Sequence, residues 1–186
     1  MDFKIQDLAI RGAKLISPFY IQDERGYFLK NYEKDIFDQW GLQADIYESF
    51  ESSSKCGVIR GLHFQTQKPQ SKIVRVIRGT IKDVIVDLRK NSATFGKYID
   101  VILSDENHLS LWIPKGFAHG FEVLSEEAIT SYMCIGKYLE SYDSGIKWDD
   151  KELNIQWETN HPIVSPRDSQ LMSFKEFKEK YAETWQ

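Results

Sequence analysis

Lys72-Ile73-Val74-Arg75-Val76-Ile77-Arg78-Gly79-Thr80-Ile81-Lys82-Asp83-Val84-Ile85-Val86-Asp87-Leu88 is the stretch on which the fold turns. Its two halves are rich in β-branched residues and are parted by Arg78-Gly79, which reads as strand, tight turn, strand. Ile81–Leu88 alternates at its ends, which predicts one buried face and one polar face. Outward from this pair the pattern repeats. Tyr98–Leu103, Ser110–Ile113, Gly120–Leu124 and Ile129–Ile135 carry the same composition. They are separated by turn formers such as Pro114-Lys115-Gly116 and Ser125-Glu126-Glu127. Strands in close succession with no helices between them predict an antiparallel sandwich or barrel.

The flanks differ. Residues 1–30 read as short extended pieces broken at Pro18 and Gly26, with Asp23-Glu24-Arg25-Gly26 as a turn. A brief helix is expected over Glu33–Trp40, where Ile36, Phe37 and Trp40 share a face and Gly41 stops it. Near the end, Ser173-Phe174-Lys175-Glu176 is a capping box, followed by Phe174, Phe177 and Tyr181 at helical spacing. No linker or repeat interrupts the chain, so residues 1–186 are expected to form one all-β domain with short helices and a C-terminal helical tail.

Composition narrows the function. With 24 basic and 28 acidic residues the net charge is −4, which gives no general nucleic-acid footprint. No apolar run approaches the length of a membrane span, and the opening MDFKIQDLAI lacks the order of a secretion signal. Two cysteines fit neither a disulfide framework nor a four-ligand zinc site. A reduced, cytoplasmic protein is expected.

Of the four histidines, His108 lies in a turn after Asp105-Glu106-Asn107 and reads as plain surface, and His161 precedes Pro162 in a loop. His63 and His119 sit in unusual strings, Gly57–Gln65 and Ile113–Phe121. In an uninterrupted strand Arg60 and His63 would point to opposite faces. A bulge at Gly61 could turn both toward one cavity. By spacing alone, His63 is equally a hydrogen-bonded core histidine. A metal site is not expected: no second histidine lies near His63, and Gln65 and Gln67 are poor ligands. A proton-transfer site fits better. His63 can serve as base, Asp168 can return from a rigid loop to orient a histidine, Lys72 can meet developing oxyanion charge, and Tyr132 can exchange a proton. Each residue taken singly also has an ordinary structural reading.

These strings resemble, in order, the dTDP-4-dehydrorhamnose 3,5-epimerase family, above all Arg60-Gly61-Leu62-His63 and Gly116-Phe117-Ala118-His119-Gly120-Phe121. The resemblance covers the chain to about residue 168. It implies a cupin-type jelly-roll barrel, a homodimer, no metal or other cofactor, and a nucleotide-diphosphate keto sugar as substrate. The implied reaction is epimerisation beside the C4 ketone of a 4-keto-6-deoxy sugar. In that reading His63 paired with Asp168 is the base, Lys72 supports the enolate oxygen and Tyr132 is the acid. His119 and Arg60 line the sugar and phosphate region, and Tyr138 contacts the nucleotide. Arg25 and Phe28 reach over from the partner subunit. Three positions depart from the family: Lys30 replaces a glutamate, and Glu48 and Phe50 stand where glutamine and asparagine are usual. Lys30 offers donors only. It either faces an acceptor edge of a cytosine or guanine base, as in a CDP- or GDP-linked sugar, or lies at the rim. Glu48 and Phe50 leave open whether C3, C5 or both are epimerised, so a single-centre epimerase on a CDP- or GDP-linked keto sugar is a second reading. A non-catalytic nucleotide-sugar binding module is the remaining alternative.

Overall fold

Strand after strand follows from the β-branched runs, and the computed structural model describes residues 3–181 of them. The outer ends of the expected 1–186 domain, residues 1–2 and 182–186, lie outside the described residues. In the first third are β1 (Lys4–Asp7), β2 (Lys14–Ser17), β3 (Phe19–Asp23), β4 (Gly26–Lys30), helix α1 (Lys34–Gln39) and β5 (Ile46–Lys55). The middle holds β6 (Ile59–Gln65), β7 (Ser71–Arg78), β8 (Thr80–Asp87), β9 (Tyr98–Ser104), β10 (Ser110–Ile113), β11 (Phe117–Val123) and β12 (Glu127–Ile135). A short β13 (Asp143–Gly145) and the terminal helix α2 (Phe174–Tyr181) complete the order.

Two antiparallel sheets form a jelly-roll sandwich, as the sequence led us to expect. The larger runs β1-β2-β10-β7-β12-β5 and the smaller β13-β6-β11-β8-β9, while β3 and β4 pair only with each other as a separate ribbon. Between the sheets, Val74, Val76, Leu111 and Tyr132 from one pack on Ile81, Ile85 and Phe121 from the other. Each fully buried side chain of this kind contributes about 1.5–3 kcal/mol. Gly79 closes the turn between β7 and β8 at φ 81°, where a Cβ would lie 2.1 Å from the carbonyl oxygen of Glu127. Only glycine fits there.

Three differences from the sequence reading have physical causes. β8 is buried on both faces, not one. Its outward side chains Val84 and Val86 lie under Leu153, Ile155, Phe174 and Phe177 of the C-terminal segment. Even Lys82 is enclosed, donating to the Gln156 carbonyl and to Glu158. β5 is a strand the composition hid, since it is an exposed edge rich in serine and glutamate. His108 is half-buried rather than plain surface: its ring stacks on Tyr20 with centres 4.3 Å apart. The two helices follow their signals. Phe37 anchors α1. At α2 the Ser173 N–H donates to Glu176 Oε2 and the Glu176 N–H donates back to Ser173 Oγ, closing the capping box.

Candidate active site

The site begins with an irregularity. His63 of β6 faces His119 of β11, but Arg60 faces Phe121, so Gly61 and Leu62 together oppose Gly120 alone. This is a bulge of one residue in β6. It requires glycine, because at Gly61, with φ 114°, a Cβ would fall 2.6 Å from both Gly120 Cα and the His119 carbonyl oxygen. The extra residue brings Arg60 and His63 to the wall of the same hollow.

Two adjoining hollows open between the sheets and share Phe50, His63, Lys72 and His119. One, of about 210 Å³, also holds Tyr132 and Arg60. The other, of about 230 Å³, is bounded by Glu48, Tyr138, Asp143 and Arg167.

His63 Nε2 lies 2.8 Å from Asp168 Oδ1, and Asp168 Oδ2 accepts the Gly61 N–H at 3.1 Å. Asp168 is held in place by its own N–H bonding to Ser165 Oγ. Burial pushes the Asp168 carboxyl up, but the bond and charge of His63, the Gly61 N–H and nearby Arg167 outweigh it and hold it below the usual carboxylate value. A charged Asp168 can only accept, so His63 Nε2 donates to it and Nδ1 is the nitrogen left to take a proton. Arg167 stands beside this pair, 3.5 Å from His63 Nε2, and is itself ion-paired to Asp143.

His119 forms a second pair, with Nε2 3.0 Å from each oxygen of Asp83. Here burial dominates and pushes the Asp83 carboxyl up, against the pull of His119 and Lys72. Lys72 has no carboxylate within ion-pair distance among the described residues. Enclosure lowers its ammonium from the usual lysine value, while Cys134, Asp143, Asp83 and Glu48 oppose the shift. The Tyr132 ring is buried, stacked on Phe50 and in a T-shaped contact with His119. Burial, reinforced by Asp83, pushes its phenol up despite Ser52 and Arg60.

The structure thus gathers His63, Asp168, Lys72, Tyr132, Arg60, His119, Glu48 and Tyr138. It does not bring Arg25, Phe28 or Lys30 to the hollows of their own chain. All three ride the β3–β4 ribbon: Arg25 is paired to Asp23, Phe28 is 55% exposed, and Lys30 is held by Glu33 at 2.7 Å. Sequence reasoning missed Asp83, Asp143 and Arg167 as site residues. Asp83 did carry a signal, being a carboxylate that opens onto the apolar run Val84-Ile85-Val86, which must find a partner when buried. Among the described residues no group of three or more His, Cys, Asp or Glu is placed to hold a metal ion. What converges is an imidazole bonded to a carboxylate, an enclosed lysine and a buried phenol, a set of groups that can move protons at carbon.

Comparison with known proteins agrees with this chemistry. The family model of dTDP-4-dehydrorhamnose 3,5-epimerase matches residues 7–176. A dTDP-4-dehydrorhamnose 3,5-epimerase of Methanothermobacter thermautotrophicus is 47% identical over 178 residues, covering 94% of this chain and 96% of its own. The crystal structure of the Legionella pneumophila epimerase with dTDP-4-keto-L-rhamnose superposes with a TM-score of 0.90 at 38% identity, covering 92% and 93% of the two chains. The Bacillus anthracis epimerase with TDP and pyrophosphate bound gives 0.90 at 41% identity, covering 92% and 99%.

Proposed function

The chain belongs to the dTDP-4-dehydrorhamnose 3,5-epimerase family and is an isomerase of that type, and on this premise we propose how its residues divide the work. The substrate is dTDP-4-dehydro-6-deoxyglucose and the product dTDP-4-dehydrorhamnose. The observation that carries the residue assignment is one hollow lined at once by His63, Lys72, His119 and Tyr132.

A hydrogen beside the C4 ketone is acidic only when the resulting enolate is stabilised. His63 Nδ1 takes that proton, the C–H electron pair becomes the C=C bond, and the carbonyl π pair moves onto O4. Lys72 donates to that oxygen. Asp168 stabilises the imidazolium that forms. Tyr132 then gives its phenolic proton to the carbon from the other face as the O4 pair re-forms the carbonyl. His63 releases its proton to solvent, and the phenolate is reprotonated from solvent. The same cycle at C3 and at C5 inverts both centres. Arg60 and His119 hold the sugar and phosphate end, and Tyr138 the nucleotide. Arg25 and Phe28, exposed on the β3–β4 ribbon, complete the nucleotide pocket of a second copy in a homodimer. Lys30 stays at the rim, satisfied by Glu33. No helix of the described residues is long and apolar enough to cross a membrane, and the free thiols of Cys56 and Cys134 suit a reduced cytoplasmic setting.

Incubation with the dTDP-linked keto sugar in D₂O, read by proton NMR, tests the assignment. Deuterium should enter at C3 and C5 with inverted product, and His63→Ala should abolish entry at both positions while nucleotide binding persists. Exchange by His63→Ala near the wild-type rate would make His119 the base. Label at one carbon alone would mark a single-centre epimerase.

A further inference from the structure

Phe50 is out of keeping with its surroundings. It lies on β5, whose inward residues from Glu48 to Ser54 are otherwise polar: Glu48, Ser52 and Ser54 face Cys134, Thr130 and Ala128 of β12. The ring is 47% exposed and lines both hollows beside Lys72, His63 and His119. A phenyl group so exposed among charged and polar neighbours contributes little to a core. Its ring stacks on that of Tyr132, its register partner, at a centroid distance of 4.7 Å and an interplanar angle of 17°. A second ring, that of His119, meets Tyr132 in a T-shaped contact with centroids 6.1 Å apart. The Tyr132 ring thus has two aromatic neighbours, and both also line the hollows.

We propose that Phe50 is a positioning residue that holds the Tyr132 ring in the orientation from which its O–H reaches the enolate carbon. It thereby sets how often a deprotonation ends in inversion rather than in return of a proton to the original face. This rests on the assignment of Tyr132 as the acid. The two proton deliveries compete for one enolate, so the outcome depends on the fraction of time the phenol is aimed. His63 and Lys72 act before that competition and do not touch Phe50 through any ring contact. Loosening the stack therefore leaves deprotonation in place and diverts its product. The raised phenol of Tyr132 accords with a ring kept covered and protonated.

The experiment compares wild type, Phe50→Leu, Phe50→Tyr and Tyr132→Phe in D₂O. It separates labelled, uninverted sugar from inverted product at early times, with kcat and KM for each process. Phe50→Leu should raise the ratio of labelled, uninverted sugar to product by about threefold to tenfold, the population change that losing one aromatic stack implies. Total label entry and KM should hold close to wild type. Phe50→Tyr, which keeps the stack, should restore the ratio. An unchanged ratio in Phe50→Leu, or exchange and inversion falling in parallel, overturns the proposal. Tyr132→Phe separates the premise: if it still inverts, the acid assignment fails and the proposal with it. If it only exchanges while Phe50→Leu behaves as wild type, the premise stands and the role of Phe50 is refuted.

Discussion

Asp168→Asn removes one charge from the base and leaves its shape nearly intact. His63 Nε2 and Asp168 Oδ1 are 2.8 Å apart, and the carboxylate side chain is 5% exposed, so solvent screens the pair weakly. With charge centres about 4 Å apart and an effective dielectric near 20, an imidazolium and a carboxylate attract by about 4 kcal/mol. That attraction exists only once His63 has gained the proton, so it lowers the barrier to deprotonation rather than substrate binding. Its loss should slow label entry by about three powers of ten with little change in KM. Initial rates of deuterium incorporation at saturating dTDP-sugar give the answer, and a fall of less than tenfold would refute the electrostatic role. Stability supplies a second reading. The Asp168 carboxyl is held below its ordinary value in the fold, so its stabilising contribution is complete above the unfolded pKa of about 4 and is lost as pH falls through the lower folded value. The urea midpoint difference between wild type and Asp168→Asn should therefore shrink in acid. A difference independent of pH would contradict the pairing.

Exhaustive chelation should leave turnover unchanged, and activity lost to EDTA and restored by a divalent ion would replace the acid–base reading with a metal one. Asp87 is buried and accepts two bonds from the Arg89 side chain plus those of Ser92 and Thr94. Asp87→Asn should cost about 3–5 kcal/mol in urea unfolding at neutral pH, and a loss under 1 kcal/mol would show that the network is dispensable. Burial works against the Asp87 charge, yet these bonds keep its carboxyl low, so this penalty too should fade as pH drops below about 4. Calorimetry with dTDP, CDP and GDP should show dTDP preferred by both wild type and Lys30→Glu, since Glu33 already engages the ammonium; a switch of preference in the variant would place Lys30 at the base edge.

How far the sequence could be read depends on where each signal is stored. β7 and β8 were legible because β-branched composition is local. The double burial of β8 was not, because the layer that covers it comes from residues 153–177 and no pattern within the strand records it. β5 escaped because an edge strand with one solvent face needs little hydrophobicity, and its register is supplied by β12. Gly61 could be read as a bulge, since a glycine inside a strand has few other uses. The His63–Asp168 contact spans 105 positions, and nothing in spacing could pair them; only the resemblance joined the two. Phe28 and Lys30 lie on β4, which pairs with β3, and Arg25 lies in the turn between those strands. Spacing could not say which chain's cavity they serve.

Two histidine–carboxylate pairs face each other across the β6–β11 register, and their surroundings separate their work. A base must expose a nitrogen to substrate and must keep its counter-charge when it becomes cationic. His63 meets the first condition with 29% of its side chain exposed, against 5% for His119. Asp168 meets the second, since hydrogen bonds from His63 and Gly61 overcome burial and favour its charged form. Asp83 has no such surplus: it is fully buried, and burial pushes its carboxyl upward despite His119. The His119 pair is closed off instead, with side-chain exposures of 5% and 0%, so its ring is the less accessible of the two. Its geometry suits another task. Both Asp83 oxygens fix His119 Nε2, and the fixed ring presents its edge to Tyr132. The same residue types, one pair open and one closed, thus favour a proton acceptor at His63 and a rigid support for the acid at His119.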